Sequence, residues 1–236
     1  MRPLLPDFSV AEAMHERISL YVCIYMIRLA LSVSLAAIPL LATDDSLTRI
    51  LKGVQDRYNS AKTLQVSFNE TYTVQGRPRQ SESGTLTLRK PGRMRWDYTT
   101  PAGKLFVSDG KNVWLYTPDS KRVEKMKLKE SEDMRAPLAF LLGKLDFQKE
   151  FRDFQIKPEG SGYLITAKAK SDKLPYEDIR MTAAPDFTIT NLVITGQDQS
   201  VLVFGFSGEK LNPDINDSTF KFVMPPGATL VTEERQ

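Results

Sequence analysis

Short runs of β-forming residues, separated by glycine, proline and aspartate turns, extend from residue 63 almost to the end of the chain. In GTLTLRKPGRMRWDYTTP, residues 84–101, the turn at residues 90–92 joins two runs, and the second run alternates charged with large apolar side chains. In VSDGKNVWLYTP, residues 107–118, Asp109-Gly110 lies between two apolar runs, which is a strong indication of a β-hairpin. Taken together, the runs predict about 11 antiparallel strands in one mainly β domain.

Two helices are predicted beside the strands. The first begins near Asp44 or Asp45, which can cap it, and its apolar residues recur at three- and four-residue spacing. Its apolar face comprises Leu47, Ile50, Leu51, Val54 and Tyr58. The second helix occupies residues 131–145, SEDMRAPLAFLLGKL, and is short and strongly apolar. Because one helix can already cover one face of a sheet, a second apolar helix favours a domain that encloses a hydrophobic cavity.

The first 42 residues have the features of a secretory signal peptide. Met26-Ile27-Arg28 supplies positive charge, residues 29–42 form an apolar run, and Ala42 is a small residue at the expected cleavage site. An uncleaved membrane anchor is the alternative, but this run has 14 residues and a spanning helix needs about 20. We therefore predict a leader over residues 1–42, with Met26 as an alternative start, and a single exported domain over residues 43–236.

The predicted exported domain lacks the residue types on which the commonest catalytic sites depend. The only cysteine, Cys23, and the only histidine, His15, belong to the leader. A zinc site of cysteine and histidine, a histidine-relayed nucleophile, a CxxC pair and a disulfide framework are therefore excluded from residues 43–236. LYVC, residues 20–23, lacks the small residue that precedes the cysteine of a lipoprotein cleavage site. The net charge of +3 is too small to indicate nucleic-acid binding. We predict a soluble protein that is not an enzyme and has no cofactor or metal.

Seven bulky side chains are predicted to share one face of the curved sheet. They recur at every second position of neighbouring strands, which places each set on one side of its strand. The seven are Leu86, Leu88, Met94, Trp96, Tyr98, Trp114 and Tyr116. On the residues alone, this face is either a core that packs against the first helix or the lining of a cavity.

Five segments of the chain resemble the LolA family of periplasmic lipoprotein carriers, in the family's order and at similar spacing. They are LQVSFNE (64–70), GTLTLRKPGRMRWDYTTP (84–101), KLFVSDGKNVWLYTPD (104–119), APLAFLLG (136–143) and FKFVMPPGATLV (220–231). The resemblance implies an unclosed antiparallel β-barrel whose hydrophobic cavity is covered by the N-terminal helix and a short lid helix. It also implies a chaperone that carries lipoproteins from the inner to the outer membrane with their acyl chains shielded in the cavity.

The resemblance also assigns roles to individual residues. It implies that the seven bulky side chains bind lipid together with the lid residues Leu138, Phe140, Leu141 and Leu142. In the family, a basic residue before the proline of the first strand pair tethers the lid, and the matching residue here is Lys90, where relatives commonly have arginine. Lysine lacks arginine's planar fork, so we expect a looser tether. Arg89, one position earlier, belongs to the opposite face.

The implied partners are acylated lipoproteins, an inner-membrane lipoprotein-releasing ABC transporter and an outer-membrane lipoprotein acceptor. The resemblance implies a periplasmic protein, and we expect it to act as a monomer. An alternative built on the same barrel is an envelope-stress module that senses lipoprotein or another amphiphile. Sensors of this kind usually carry a further domain, and here the chain ends at Gln236, soon after the last predicted strand, which favours the carrier.

Overall fold

The structure is a computed structural model that describes residues 42–128 and 145–232. The chain divides into two units, Met1–Thr43 and Asp44–Gln236, and the second contains the β-sheet. The predicted leader therefore lies almost entirely outside the described residues and stays a prediction. The predicted lid helix also lies outside them, except for its last residue, and so do Leu138, Phe140, Leu141 and Leu142.

The described chain consists of one long helix followed by a β-sheet with short helical additions. Helix α1 spans Ala42–Ser60, and the short helix α2 spans Phe147–Glu150. The strands are β1 Thr63–Val74, β2 Arg77–Pro78, β3 Glu82–Arg89, β4 Arg93–Thr100, β5 Leu105–Asp109, β6 Asn112–Thr117, β7 Arg122–Lys127, β8 Phe151–Glu159, β9 Gly162–Ala169, β10 Tyr176–Ala183, β11 Ile189–Gly196, β12 Val201–Leu211 and β13 Thr229–Thr232. A 3₁₀ helix, Asp217–Phe220, lies between β12 and β13.

All 13 described strands belong to one unclosed sheet. The strand order is β13-β7-β6-β5-β4-β3-β1-β12-β11-β10-β9-β8, and β2 pairs with β1. The predicted fold class, mainly β with one unclosed sheet and an N-terminal helix, is confirmed. One expectation is wrong at the sheet edge, since β13 runs parallel to β7 whereas the other pairs are antiparallel.

The run TFKFVMPPG, residues 219–227, is among the β-forming runs that predict strands, but the structure has no strand there. Residues 217–220 form the 3₁₀ helix instead, capped by the Asn216 side chain, which accepts a hydrogen bond from the Ser218 amide. Pro225 and Pro226 have no amide hydrogens to donate to a strand ladder. The strand therefore begins only at Thr229, whose amide bonds to the Lys121 carbonyl.

Helix α1 packs its apolar stripe onto the sheet. Ile50, Leu51, Val54 and Tyr58 are at most 5% exposed, and Leu47 packs against them as a partly buried neighbour. The helical face predicted from residue spacing is thereby confirmed. Since the other face of α1 is polar, burial of this stripe supplies most of the free energy that holds the helix on the sheet.

The hairpin of β3 and β4 is closely packed because of glycine. Gly84 lies opposite Tyr98, and a Cβ atom at Gly84 would lie 2.1 Å from the carbonyl oxygen of Asp97. Gly92, in the turn, has a φ of +70°, a conformation that favours glycine. Glycine therefore allows the close approach of the two strands near the open end of the hairpin, and the tight turn that joins them.

Candidate functional site

The strand register defines an inner face of the sheet, covered by α1. Leu86 lies opposite Trp96, Trp96 lies opposite Phe106, and Phe106 lies opposite Leu115. Opposite residues of paired strands point to the same side, so this row belongs to one surface. The other inner-face residues in these strands include Leu88, Met94 and Tyr98.

An aromatic cluster forms the centre of the inner face. The ring centroids of Phe68 and Trp96 are 4.7 Å apart, and those of Phe68 and Tyr98 are 5.2 Å apart, both in edge-to-face geometry. Phe204 on β12 lies 5.7 Å from Trp96. Leu86, Met94 and Trp96 are at most 2% exposed. The inner face is thus a continuous apolar wall that extends across β12, β1, β3 and β4.

Two of the seven predicted side chains do not belong to this wall. Trp114 lies opposite Val107 and Tyr116 lies opposite Val123, so both point to the outer face. Trp114 stacks on Phe222, with ring centroids 5.7 Å apart and planes 4° from parallel. The expectation of a common face is therefore wrong for Trp114 and Tyr116, and Phe106 and Leu115 occupy the corresponding inner positions. The expectation of a common inner face is confirmed for Leu86, Leu88, Met94, Trp96 and Tyr98.

The inner face also contains charged groups at the end where β3 begins. Lys104 Nζ lies 2.5 Å from Glu82 Oε1, and both side chains are largely buried. The same ammonium lies 4.5 Å from the centroid of the Tyr98 ring. Glu70, which is 3% exposed, lies opposite Glu82. The apolar wall therefore ends in a buried polar group, which the sequence analysis missed because its members are far apart in the chain.

Polar contacts hold the C-terminal end of α1 on the sheet. The Tyr58 hydroxyl donates to Glu209 Oε2 at 2.6 Å and accepts from the Ile189 amide at 2.9 Å. Arg57 donates to the other oxygen of the same carboxylate at 2.7 Å. Burial, reinforced by the Glu209 charge, raises the pKa of Tyr58 far above its usual value. The hydroxyl is therefore neutral and serves as a hydrogen-bond donor.

Lys90 contributes a further contact to this end of α1. Its Nζ atom donates to the carbonyl oxygen of Tyr58 at 2.6 Å, and burial lowers the pKa of Lys90 below its usual value. A recess of about 10 Å³ lies beside this contact, which is room for about one water-sized group. Tyr58, Ala61, Lys62, Thr63, Leu64, Leu88 and Lys90 line it. Within the described residues, Lys90 thus bonds to α1, and its predicted role as a lid tether stays a prediction.

Arg89 points to the outer face, as the alternation of the strand indicates. Its guanidinium contacts the Asp217 carboxylate and the Ile215 carbonyl. It also lies 5.8 Å from the Phe220 ring centroid. Arg89 therefore holds the C-terminal segment on the outer face and lies on the other side of the sheet from Trp96.

The last residue of the predicted lid and the chain directly after it are bonded to α1 by side chains. Asn59 donates to the Leu145 carbonyl at 2.8 Å and accepts from the Leu145 amide at 2.6 Å. Gln55 accepts from the Phe147 amide at 2.9 Å. Leu145 and Phe147 are at most 1% exposed. The end of the predicted lid and the residues that follow it are therefore docked on the same helix that covers the inner face.

These polar contacts were missed by sequence reasoning. Tyr58 contacts Glu209 across 151 residues, and Asn59 contacts Leu145 across 86 residues. Spacing along the chain indicates which residues share a helical face but gives no information on partners so far away. Among the described residues, no group of three or more His, Cys, Asp or Glu side chains could hold a metal ion. No helix in the described ranges is long and apolar enough to span a membrane.

An open sheet whose apolar face lies under an amphipathic helix is a scaffold suited to binding apolar molecules. The family model described as "Outer membrane lipoprotein carrier protein LolA" matches residues 59–223. The chain belongs to the LolA family.

Curated relatives are similar over most of their length. The chain is 27% identical over 198 residues to the outer-membrane lipoprotein carrier protein of Proteus mirabilis, covering 84% of this chain and 95% of the relative. It is 30% identical over 179 residues to the protein of the same name from Pseudomonas putida, covering 73% and 83%. An uncharacterized conserved protein from Thermus thermophilus is a distant structural likeness, with a TM-score of 0.48, 13% identity, and coverage of 80% of this chain and 99% of that chain.

Proposed function

We propose that this protein is a soluble periplasmic carrier that binds the acyl chains of lipoproteins and moves them from the inner to the outer membrane. The observation that carries the proposal is the inner face, a continuous apolar wall of Leu86, Leu88, Met94, Trp96 and Tyr98 beneath α1. Family membership and the names of the curated relatives support the same role. The exported domain over residues 43–236 is part of this proposal.

The energetic need for such a container is large. Burying an acyl chain contributes about 0.8 kcal/mol per CH₂ group, so a chain of about sixteen carbons is stabilised in a membrane by on the order of 12 kcal/mol. A carrier must offer a comparable apolar environment to move that chain through water. Met94 suits this task because its thioether side chain adapts to irregular shapes.

Binding requires that the cover on the inner face moves. The recess beside Lys90, at about 10 Å³, is far too small for an acyl chain. The side chains of Ile50 and Val54 occupy the inner face in the closed form, at most 1% exposed. We propose that acyl chains enter as α1 and the predicted lid shift, and that the predicted lid residues Leu138, Phe140, Leu141 and Leu142 also contact them.

Lys90 is proposed to control this movement. The hydrogen bond from its side chain to the Tyr58 carbonyl joins the residue after β3 to the end of α1. A hydrogen bond that involves a charged group contributes about 1.5–3 kcal/mol, so it can stabilise the closed form without preventing opening. In the full carrier cycle, the proposed partners are an inner-membrane lipoprotein-releasing ABC transporter and an outer-membrane acceptor.

Photo-crosslinking tests where the acyl chains bind. A lipoprotein whose acyl chains carry a diazirine is mixed with the purified protein, irradiated, and digested for mass spectrometry. We expect adducts on inner-face residues such as Met94 and Trp96, and none on Trp114 or Tyr116. Adducts confined to the outer face, or no adducts under conditions where lipoprotein is solubilised, would refute the proposal.

Substitution of Lys90 tests its control of opening. Lys90→Leu should change the rate at which an acylated cargo is released to acceptor membranes, and Lys90→Arg should restore it. Lys62→Leu is the matched control, because Lys62 lines the same recess and is exposed. Equal release rates for the wild type, Lys90→Leu and Lys62→Leu would show that Lys90 is not a tether.

Amino-terminal sequencing of the protein from the periplasmic fraction tests the predicted cleavage after Ala42.

A further inference from the structure

The large apolar side chains that are exposed in the described chain all lie close to its C-terminal end. Val223 is 76% exposed, Met224 is 43% exposed and Leu230 is 46% exposed. Soluble proteins expose single apolar side chains widely, but a cluster of them indicates an interaction surface. We call Val223, Met224 and Leu230 the C-terminal patch.

The chain that presents this patch is held firmly on the outer face. Phe220 is 2% exposed, and Phe222 stacks on Trp114. Farther along, the Ala228 amide bonds to the Pro225 carbonyl in a turn, and β13 then pairs with β7. The exposure of Val223 and Met224 therefore arises between two anchored points and does not result from an unattached tail.

Leu230 belongs to the same surface. It lies opposite Val123, which lies opposite Tyr116 on the outer face. The segment that contains Val223 and Met224 passes from Trp114 on β6 to the start of β13 beside Arg122. Leu230 therefore lies on the outer face, and the segment that carries Val223 and Met224 crosses the same end of the sheet.

Basic side chains lie close to the segment that carries the C-terminal patch, since Lys125 Nζ is 5.6 Å from the centroid of the Trp114 ring on which Phe222 stacks. Residues 119–127 and 221–231 contain five basic residues and two acidic ones. Lys121, Lys125 and Lys221 are exposed, and of the two acids, Glu124 is paired with Arg122. These two segments of the described chain therefore carry a net charge of +3, from five basic and two acidic residues.

We propose that the C-terminal patch binds the surface of an anionic phospholipid membrane. Protruding apolar side chains can enter the interfacial layer of a bilayer, and nearby lysines are attracted to acidic headgroups. The combination is complementary to an anionic bilayer, whose surface is negative and whose interior is apolar. Because the patch lies on the outer face, this contact is separate from the inner face and goes beyond the proposed carriage of lipoproteins.

Vesicle co-sedimentation tests the proposal with the purified full chain and matched variants. Vesicles are made of phosphatidylcholine alone or of phosphatidylcholine with phosphatidylglycerol. Val223→Ser with Met224→Ser removes apolar groups, and Lys121→Gln with Lys221→Gln removes charge. Lys157→Gln with Lys168→Gln is the charge control, because these exposed lysines lie on β8 and β9 at the other end of the strand order. Every variant is prepared in the same form as the wild type, so residues 1–42 contribute equally.

We expect the wild type to bind the vesicles that contain phosphatidylglycerol and to bind phosphatidylcholine alone much more weakly. The apolar double variant should bind anionic vesicles about tenfold more weakly. Loss of Lys121 and Lys221 should weaken binding by about fivefold for each lysine, and the charge control should match the wild type.

Equal binding by the wild type and the apolar variant would overturn the proposal. So would wild-type binding that does not depend on phosphatidylglycerol, or retention of the protein by a membrane protein in detergent without any vesicle binding. The photo-crosslinking assay separates this inference from the proposed function. The variant with Val223→Ser and Met224→Ser should still give acyl-chain adducts on the inner face.

Discussion

Replacement of Tyr58 by phenylalanine removes one oxygen atom from the contact that holds the end of α1. That hydroxyl donates to Glu209 and accepts from the Ile189 amide. Glu209 has a side chain that is 8% exposed, and Ile189 is 4% exposed. The aromatic ring and its apolar packing are kept, so the change isolates the polar contact.

The expected loss in the free energy of unfolding depends on the buried polar groups that lose a hydrogen-bond partner. A hydrogen bond to a charged group contributes about 1.5–3 kcal/mol, and a buried amide that loses its acceptor costs about 1–3 kcal/mol. Arg57 still pairs with Glu209, which limits the loss at the carboxylate. We therefore expect Tyr58→Phe to lower the free energy of unfolding by about 3 kcal/mol.

Urea unfolding followed by tryptophan fluorescence measures this change. Tyr163→Phe is the matched control, because Tyr163 is partly buried and packs at the border of the core. The control should change the free energy of unfolding by less than about 0.5 kcal/mol. A loss below about 1 kcal/mol for Tyr58→Phe, or equal losses for both variants, would refute the role assigned to this hydroxyl.

Three further changes test the packing around the site. Gly84→Ala should destabilise the protein by about 3 kcal/mol in urea unfolding, because its Cβ atom would lie 2.1 Å from the Asp97 carbonyl oxygen; near-wild-type stability would contradict this. Asn59→Ala should cost about 2 kcal/mol and speed hydrogen exchange at the Leu145 amide, which Asn59 accepts from; unchanged exchange there would count against docking. Burial raises the pKa of Tyr176 to about 12, so the folded form retains the proton more strongly than the unfolded form. Stability should therefore fall as the pH rises from about 10 towards the folded pKa, and less so in Tyr176→Phe; identical pH profiles would refute this.

The elements of the fold were largely predictable because they depend on local patterns. The stripe of Ile50, Val54 and Tyr58 identified α1, and alternation identified most strands. The predicted strand over residues 219–227 failed because Phe220 and Phe222 resemble strand residues, while a cap and two prolines decide the local conformation. The parallel pairing of β13 with β7 was missed because pairing between distant strands leaves no local signal.

The assignment of side chains to the inner face was only partly predictable. In β4, Arg93, Arg95 and Asp97 alternate with apolar residues, so Met94 and Trp96 could be placed together. In β6, residues 113–116 are all apolar, and a period of two cannot show which pair faces α1. The larger side chains, Trp114 and Tyr116, were therefore favoured, although they point outward.

The sequence by itself determined that this chain forms a mainly β domain with an amphipathic helix, and its motifs indicated the LolA family. These conclusions depend on periodicity and on motifs, both of which can be read along the chain. Only the tertiary structure decided which aromatic residues share the inner face, and that Lys90 bonds to the end of α1. The physical reason is that register and contacts such as Tyr58 with Glu209 join residues far apart in the chain, so they exist only after the strands have paired.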